Sequence, residues 1–195
     1  MSKVSYKNLL LKKNKSPITC LTAYSKPIAN LLDGKVDLIL VGDSVGTTLY
    51  GMKNTRGVTL EMMKNHGKAV ARNTKYSMSI IDMPYNTYRN KKEALRNANE
   101  LIAFTKADFL KIETDKKNIE IVKYLSDNKI RVVSHIGVTP QKFSDFRKIK
   151  SVGKNASDAK KLLSLASELE RAGSKLIVLE CINEKVAKKI TNILS

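Results

Sequence analysis

Five apolar runs of strand length each end in an ionisable residue, and this repetition constrains the fold more than any other feature. "DLILVGD" ends in Asp43, "SIID" in Asp82, "FLKIE" in Glu113, "VVSH" in His135 and "IVLE" in Glu180. Longer segments of helical periodicity lie between the runs. Strand and helix alternate six times with short turns, the pattern of a parallel sheet covered by helices. All strand C-termini of such a sheet lie at one end, so the five groups are expected to converge there. A single strand-end acid is explained by the N-terminus of the next helix, which attracts carboxylates. Five in succession predict a site.

The first run, "ITCLTAY", covers Ile18 to Tyr24, and "KPIANLLDG" follows as a short helix that Gly34 stops. After Asp43 a glycine-rich loop leads to Thr59, the expected N-cap of "LEMMKNHGKAVARNT". Pro84 ends the third strand, and "KKEALRNANELIAFTK" carries an apolar stripe through Ala94, Leu95, Ala98, Leu101, Ile102 and Phe104. "DFLKIE", "NIEIVKYLSDN", "IRVVSHIG", "ASDAKKLLSLASELERAG", "KLIVLEC" and "NEKVAKKITNIL" complete the alternation. An open doubly wound sheet and a (β/α) barrel both fit this order. Neither G-x-G-x-x-G nor a P-loop is present, so the usual marks of the open fold are missing. No linker divides the chain, and a single domain over 1–195 is expected.

The net charge of +18 comes from 36 Lys and Arg against 18 Asp and Glu. The lysines are spread in pairs such as Lys91-Lys92 and Lys188-Lys189, without the interleaved aromatics of a stacking platform. They read as solvated faces that draw in small anions, and nucleic acid is not the expected partner. No apolar stretch approaches the roughly 20 residues of a membrane span. The lysine-rich, amphipathic N-terminus has no signal-peptide cleavage pattern, so a cytoplasmic protein is expected, with Cys20 and Cys181 as reduced strand residues.

Carboxylates at Asp43, Asp82 and Glu113 would repel one another and raise their pKa values unless a cation joined them. An oxygen-rich set without a cysteine pair suits magnesium or manganese rather than structural zinc. A chelating 2-oxo acid would complete the octahedron, and the ion would favour the enolate formed on proton loss. Glu180 is free to serve as the base. Lys111 shares a face with Glu113, two residues along one strand, and an anionic substrate group is its expected partner.

Six segments in order, "ITCLTAY", "LVGDSVG", "IDMP", "KIE", "HIGVTPQ" and "IVLECI", resemble the signature segments of the ketopantoate hydroxymethyltransferase family. The resemblance runs from about Ile18 to the end of the sequence. It implies a (β/α)8 TIM-type barrel that binds magnesium and assembles as a homo-oligomer. The implied reaction moves a hydroxymethyl group from 5,10-methylenetetrahydrofolate to 3-methyl-2-oxobutanoate, giving 2-dehydropantoate. Carried over by position, Asp43 and Asp82 are magnesium ligands that also meet the keto acid, and Glu113 is the third carboxylate. Ser44 and Lys111 contact the keto acid, and Glu180 is the proton acceptor.

His135 is a site neighbour or a satisfied strand-end histidine, and His66 an ordinary surface or packing residue. Only six βα units are present, so the family barrel is expected to be C-terminally truncated and closed by a partner chain or a longer parent. Two other readings fit the residues. One is a non-catalytic barrel with a basic anion-binding surface. The other is a related magnesium-dependent carbon–carbon bond enzyme acting on another 2-oxo acid.

Overall fold

A computed structural model describes residues 3–195 and contains the six alternations. The strands are β1 (Cys20–Thr22), β2 (Leu38–Val41), β3 (Met78–Asp82), β4 (Phe109–Glu113), β5 (Val132–Gly137) and β6 (Leu176–Glu180). They pair in parallel in their sequence order. The helices are α1 (Tyr6–Lys12), α2 (Lys26–Leu32), α3 (Val45–Leu49), α4 (Leu60–Ala71), α5 (Lys91–Thr105), α6 (Ile119–Asp127), α7 (Ala156–Arg171) and α8 (Glu184–Ile193). Thr59 caps α4 as expected, its hydroxyl accepting from the Met62 amide at 3.2 Å. Asn90 and Asn155 cap α5 and α7 in the same way. Each such cap contributes about 1 kcal/mol.

Every residue of β3 and β4 is buried, because a parallel sheet is covered on both faces. The alternation of side chains divides the core in two. Ile39, Ile81, Leu110, Ile112 and Val132 face outward and pack with Met63, Leu101, Leu125 and Leu169 of the helices. Leu38, Met78, Ile80, Phe109 and Val133 face inward and form a smaller cluster with Leu9. Helix α1 therefore stoppers the N-terminal end of the strands. Burial of Leu9 stabilises this arrangement by roughly 2 kcal/mol. Lys12, 2.7 Å from Asp37, pins the helix at that end.

The sheet is curled. A flat sheet would separate its outermost strands by about 24 Å, five spacings of a pleated sheet. Instead Thr22 of β1 and Val178 of β6 line one cavity of about 570 Å³ at the C-terminal rim. Among the described residues β1 and β6 each pair on one side only. Their surroundings reflect it: Leu21 is 51% exposed and β6 is half-buried along its length. No helix among the described residues is long and apolar enough to cross a membrane.

Two expectations change. Cys181 lies one position beyond β6, with φ at 50°, whereas Cys20 is on β1 as expected; both thiols are free and exposed. The glycine-rich stretch after Asp43 is not all loop, since α3 occupies part of it.

Candidate active site

Register brings the ionisable groups together. Asp82 pairs with Lys111 across β3 and β4, and Glu113 with His135 across β4 and β5. Register partners present their side chains to the same face of the sheet. Glu180 pairs with Gly137, two residues past His135, so it shares that face as well. Asp43 follows β2 at the same rim.

The groups form an unbroken run. The Asp43 amide donates to Asp82 Oδ2 at 3.0 Å. Lys111 Nζ lies 3.0 Å from Asp82 Oδ1 and 3.5 Å from His135 Nδ1. His135 Nε2 lies 3.2 Å from Glu180 Oε2. An ammonium donates and never accepts, so the Nδ1 beside it carries the lone pair. Nε2, on the other side of the ring, faces Glu180 without hydrogen-bond alignment. Ser44 Oγ shares a hydrogen bond of 2.7 Å with the Tyr24 hydroxyl.

Asp43, Asp82, Lys111, Glu113 and His135 are all buried, and Glu180 is not, its side chain being 40% exposed. Burial pushes the Glu113 carboxyl up to about 8, with the Gln141 amide and Lys111 opposing and the two aspartates adding to the rise. Asp43 rises to about 6, through burial first and the charge of Asp82 second. For these two groups desolvation contributes more to the rise than mutual repulsion. Lys111 is held above its ordinary value: burial alone would lower it, and the charges of Asp82 and Asp43 outweigh that cost. The partner of its buried ammonium is thus Asp82 of the protein itself.

Three residues carry roles that sequence reasoning did not assign. Gln141 donates through Nε2 to Asp43 Oδ2 at 2.7 Å, and its backbone amide reaches both oxygens of Glu113, at 3.0 and 3.1 Å. Tyr88 donates its hydroxyl to Gln141 Oε1. Thr55, 2% exposed, lines the cavity beside Asp43. Only Gln141 left a trace in the sequence, as the last letter of "HIGVTPQ". His66 is half-buried on α4, bridging the Tyr24 carbonyl and the Tyr50 hydroxyl at 2.7 and 2.8 Å, a packing role as expected.

Among the described residues no three His, Cys, Asp or Glu side chains form a complete metal cage. The rim offers the two carboxylates of Asp43 and Asp82, as many as Mg²⁺ commonly takes when waters and substrate supply the rest. Asp82 Oδ1 is buried, and Lys111 stands near it without hydrogen-bond alignment. Thr55 Oγ1 and His135 Nε2 are buried without an aligned partner too, and all three residues line the same cavity. Buried polar atoms are rarely left unpaired, and such a set suits a hydrated cation with an oxygen-rich ligand.

The profile of a family described as ketopantoate hydroxymethyltransferase matches residues 3–195. The chain is 49% identical over 184 residues to the 3-methyl-2-oxobutanoate hydroxymethyltransferase of Pelagibacter ubique, covering 94% of this chain and 70% of that protein. It is 40% identical over 180 residues to the enzyme of the same name from a Chelativorans species, covering 92% of this chain and 64% of the relative. The chain thus spans about two thirds of the length of these curated relatives. Among solved structures, oxaloacetate acetylhydrolase with 3,3-difluorooxalacetate superposes at a TM-score of 0.71 and 11% identity, over 100% of this chain and 70% of that one. Phosphonopyruvate hydrolase with oxalate and Mg²⁺ superposes at 0.69 and 13%, over 99% and 69%. At such identities the likeness is one of fold.

Proposed function

The chain belongs to the ketopantoate hydroxymethyltransferase family, and on that premise we propose that it transfers a hydroxymethyl group from 5,10-methylenetetrahydrofolate to 3-methyl-2-oxobutanoate, giving 2-dehydropantoate. One observation carries this reading: the convergence of Asp43, Asp82, Lys111, Glu113, His135 and Glu180 on a single cavity.

Asp43 and Asp82 would hold Mg²⁺, with Glu113 as the third carboxylate at the rim. When bound, the ion supplies Lewis acidity at the oxygens of the keto acid. Lys111 remains charged and, with Ser44, binds the substrate carboxylate. Glu180 takes the proton from C3 of the keto acid, the only carbon next to the ketone that bears one. Its side chain is 40% exposed and lines the cavity, with His135 Nε2 standing 3.2 Å away.

The curled sheet is read as part of a (β/α)8 barrel forming one domain. Further βα units, of the kind that the relatives' greater length allows, would pair with the free edges of β1 and β6.

The test combines the purified protein with Mg²⁺, 3-methyl-2-oxobutanoate and methylenetetrahydrofolate. Formation of 2-dehydropantoate that requires all three supports the proposal, as does preference for this keto acid over other 2-oxo acids. A folded protein that binds the keto acid with no dependence on Mg²⁺ overturns it.

A further inference from the structure

We propose that Gln141 is the positioning residue of the site: it aims Asp43 at the cation, anchors Glu113 through its backbone amide, and has its own side-chain amide set by Tyr88. This rests on reading the rim as a Mg²⁺ site.

Gln141 is 3% exposed and lies just beyond β5, between the two acids. Nε2 donates to Asp43 Oδ2 at 2.7 Å and to the Met83 carbonyl at 3.1 Å. Its carbonyl accepts from Arg56 Nε at 2.9 Å, so the backbone is clamped as well. A glutamine amide can in principle face either way. Reversed, Oε1 would confront a carboxylate and a carbonyl, two acceptors with no proton between them. The Tyr88 hydroxyl, donating to Oε1 from the other side, completes the selection of one orientation.

Two consequences follow for the cation. With Oδ2 of Asp43 held by Gln141, the carboxylate is fixed in one orientation toward the cation. Glu113 accepts the Gln141 backbone amide on both oxygens, which fixes the direction of its carboxylate relative to Asp43 and Asp82. A neutral amide separates the acids without adding charge. Neither an apolar residue, which would orphan Asp43, nor an acid, which would repel it, could do the same. Gln141 is not itself a ligand. It acts through Asp43, as the hydrogen-bonding partners of metal ligands commonly do, and loss of such a partner typically costs about 10–100-fold in metal affinity.

The experiment is a calorimetric titration of the metal-free full chain with Mg²⁺, alongside thermal unfolding. Gln141→Ala keeps the backbone bond to Glu113 and removes only the side chain. It is expected to bind Mg²⁺ about 10–100-fold more weakly than the parent while unfolding cooperatively. Tyr88→Phe is expected to weaken Mg²⁺ binding in the same direction but by less. A folded Gln141→Ala protein with the parent's Mg²⁺ affinity overturns the assignment. If that variant does not fold, Tyr88→Phe decides, and an unchanged affinity there overturns it equally. Asp82→Ala separates the two levels: loss of binding in Asp82→Ala but not in Gln141→Ala sinks the role of Gln141 alone. A parent that takes up no Mg²⁺ sinks the metal reading along with it.

Discussion

Asp82 and Lys111, register partners on β3 and β4, meet as a buried ion pair with 3.0 Å between Oδ1 and Nζ. Both side chains are less than a tenth exposed, so removing one strands the other without water. Lys111→Met is expected to destabilise the fold by about 3–5 kcal/mol, the range for breaking a buried pair. The double variant Asp82→Asn/Lys111→Met should regain much of that loss. Urea unfolding of the parent, both single variants and the double variant checks the coupling.

Glu113 makes stability depend on pH. Its folded pKa of about 8 lies above its ordinary value of 4.5, so between those limits the folded state holds a proton that the unfolded state has lost. The stability it contributes is complete below the unfolded pKa and is lost as pH rises through the folded one. In metal-free buffer, unfolding free energy should therefore fall from about pH 5 to pH 8, at up to about 1.4 kcal/mol per unit for one such group. Asp43, raised to about 6, adds to the first part of that fall. Glu113→Gln should flatten the profile, and so should added Mg²⁺, which favours the ionised carboxylates.

Glu180→Gln removes the proposed base and leaves the aspartates in place. Exchange of the substrate's C3 proton with deuterated solvent, followed by NMR, should fall by about 10²–10⁴-fold. Mg²⁺ affinity should stay near that of the parent. Undiminished exchange in this variant removes Glu180 from the role.

Gly137 ties the end of β5 to the end of β6. Its φ is 101°, and a Cβ there would sit 2.2 Å from the Glu180 carbonyl oxygen. The neighbouring Val138 amide donates to that same oxygen at 2.9 Å. Gly137→Ala is expected to cost about 1–3 kcal/mol and to shift the strand end that carries Glu180. Thermal unfolding and the exchange assay should report both losses together.

The strands were legible because a doubly covered parallel sheet writes each of them as a continuous apolar run. Asp43, Asp82, Glu113, His135 and Glu180 stood out because each interrupts such a run at the same point. Contacts between distant segments were not legible. Gln141 reaches Asp43 across 98 positions, and no local pattern encodes that meeting. The partner of Lys111 depends on the register of β3 against β4, which neither strand specifies alone. Helix α1 escaped notice because Leu9 is buried whereas Leu10 and Leu11 are 46% and 56% exposed, too narrow a stripe to announce a helix.

Glu180 rides on the outermost strand, half in water, while Asp82, a proposed ligand of the cation, sits on an interior strand paired at both edges. Whatever comes to lie alongside β6 would shield that carboxylate from water. If Glu180 is the base, proton abstraction is the step most sensitive to what lies beside β6. On the same reading, recognition of the ion and the keto acid belongs to the sheltered middle of the sheet and should depend less on what lies beside β6.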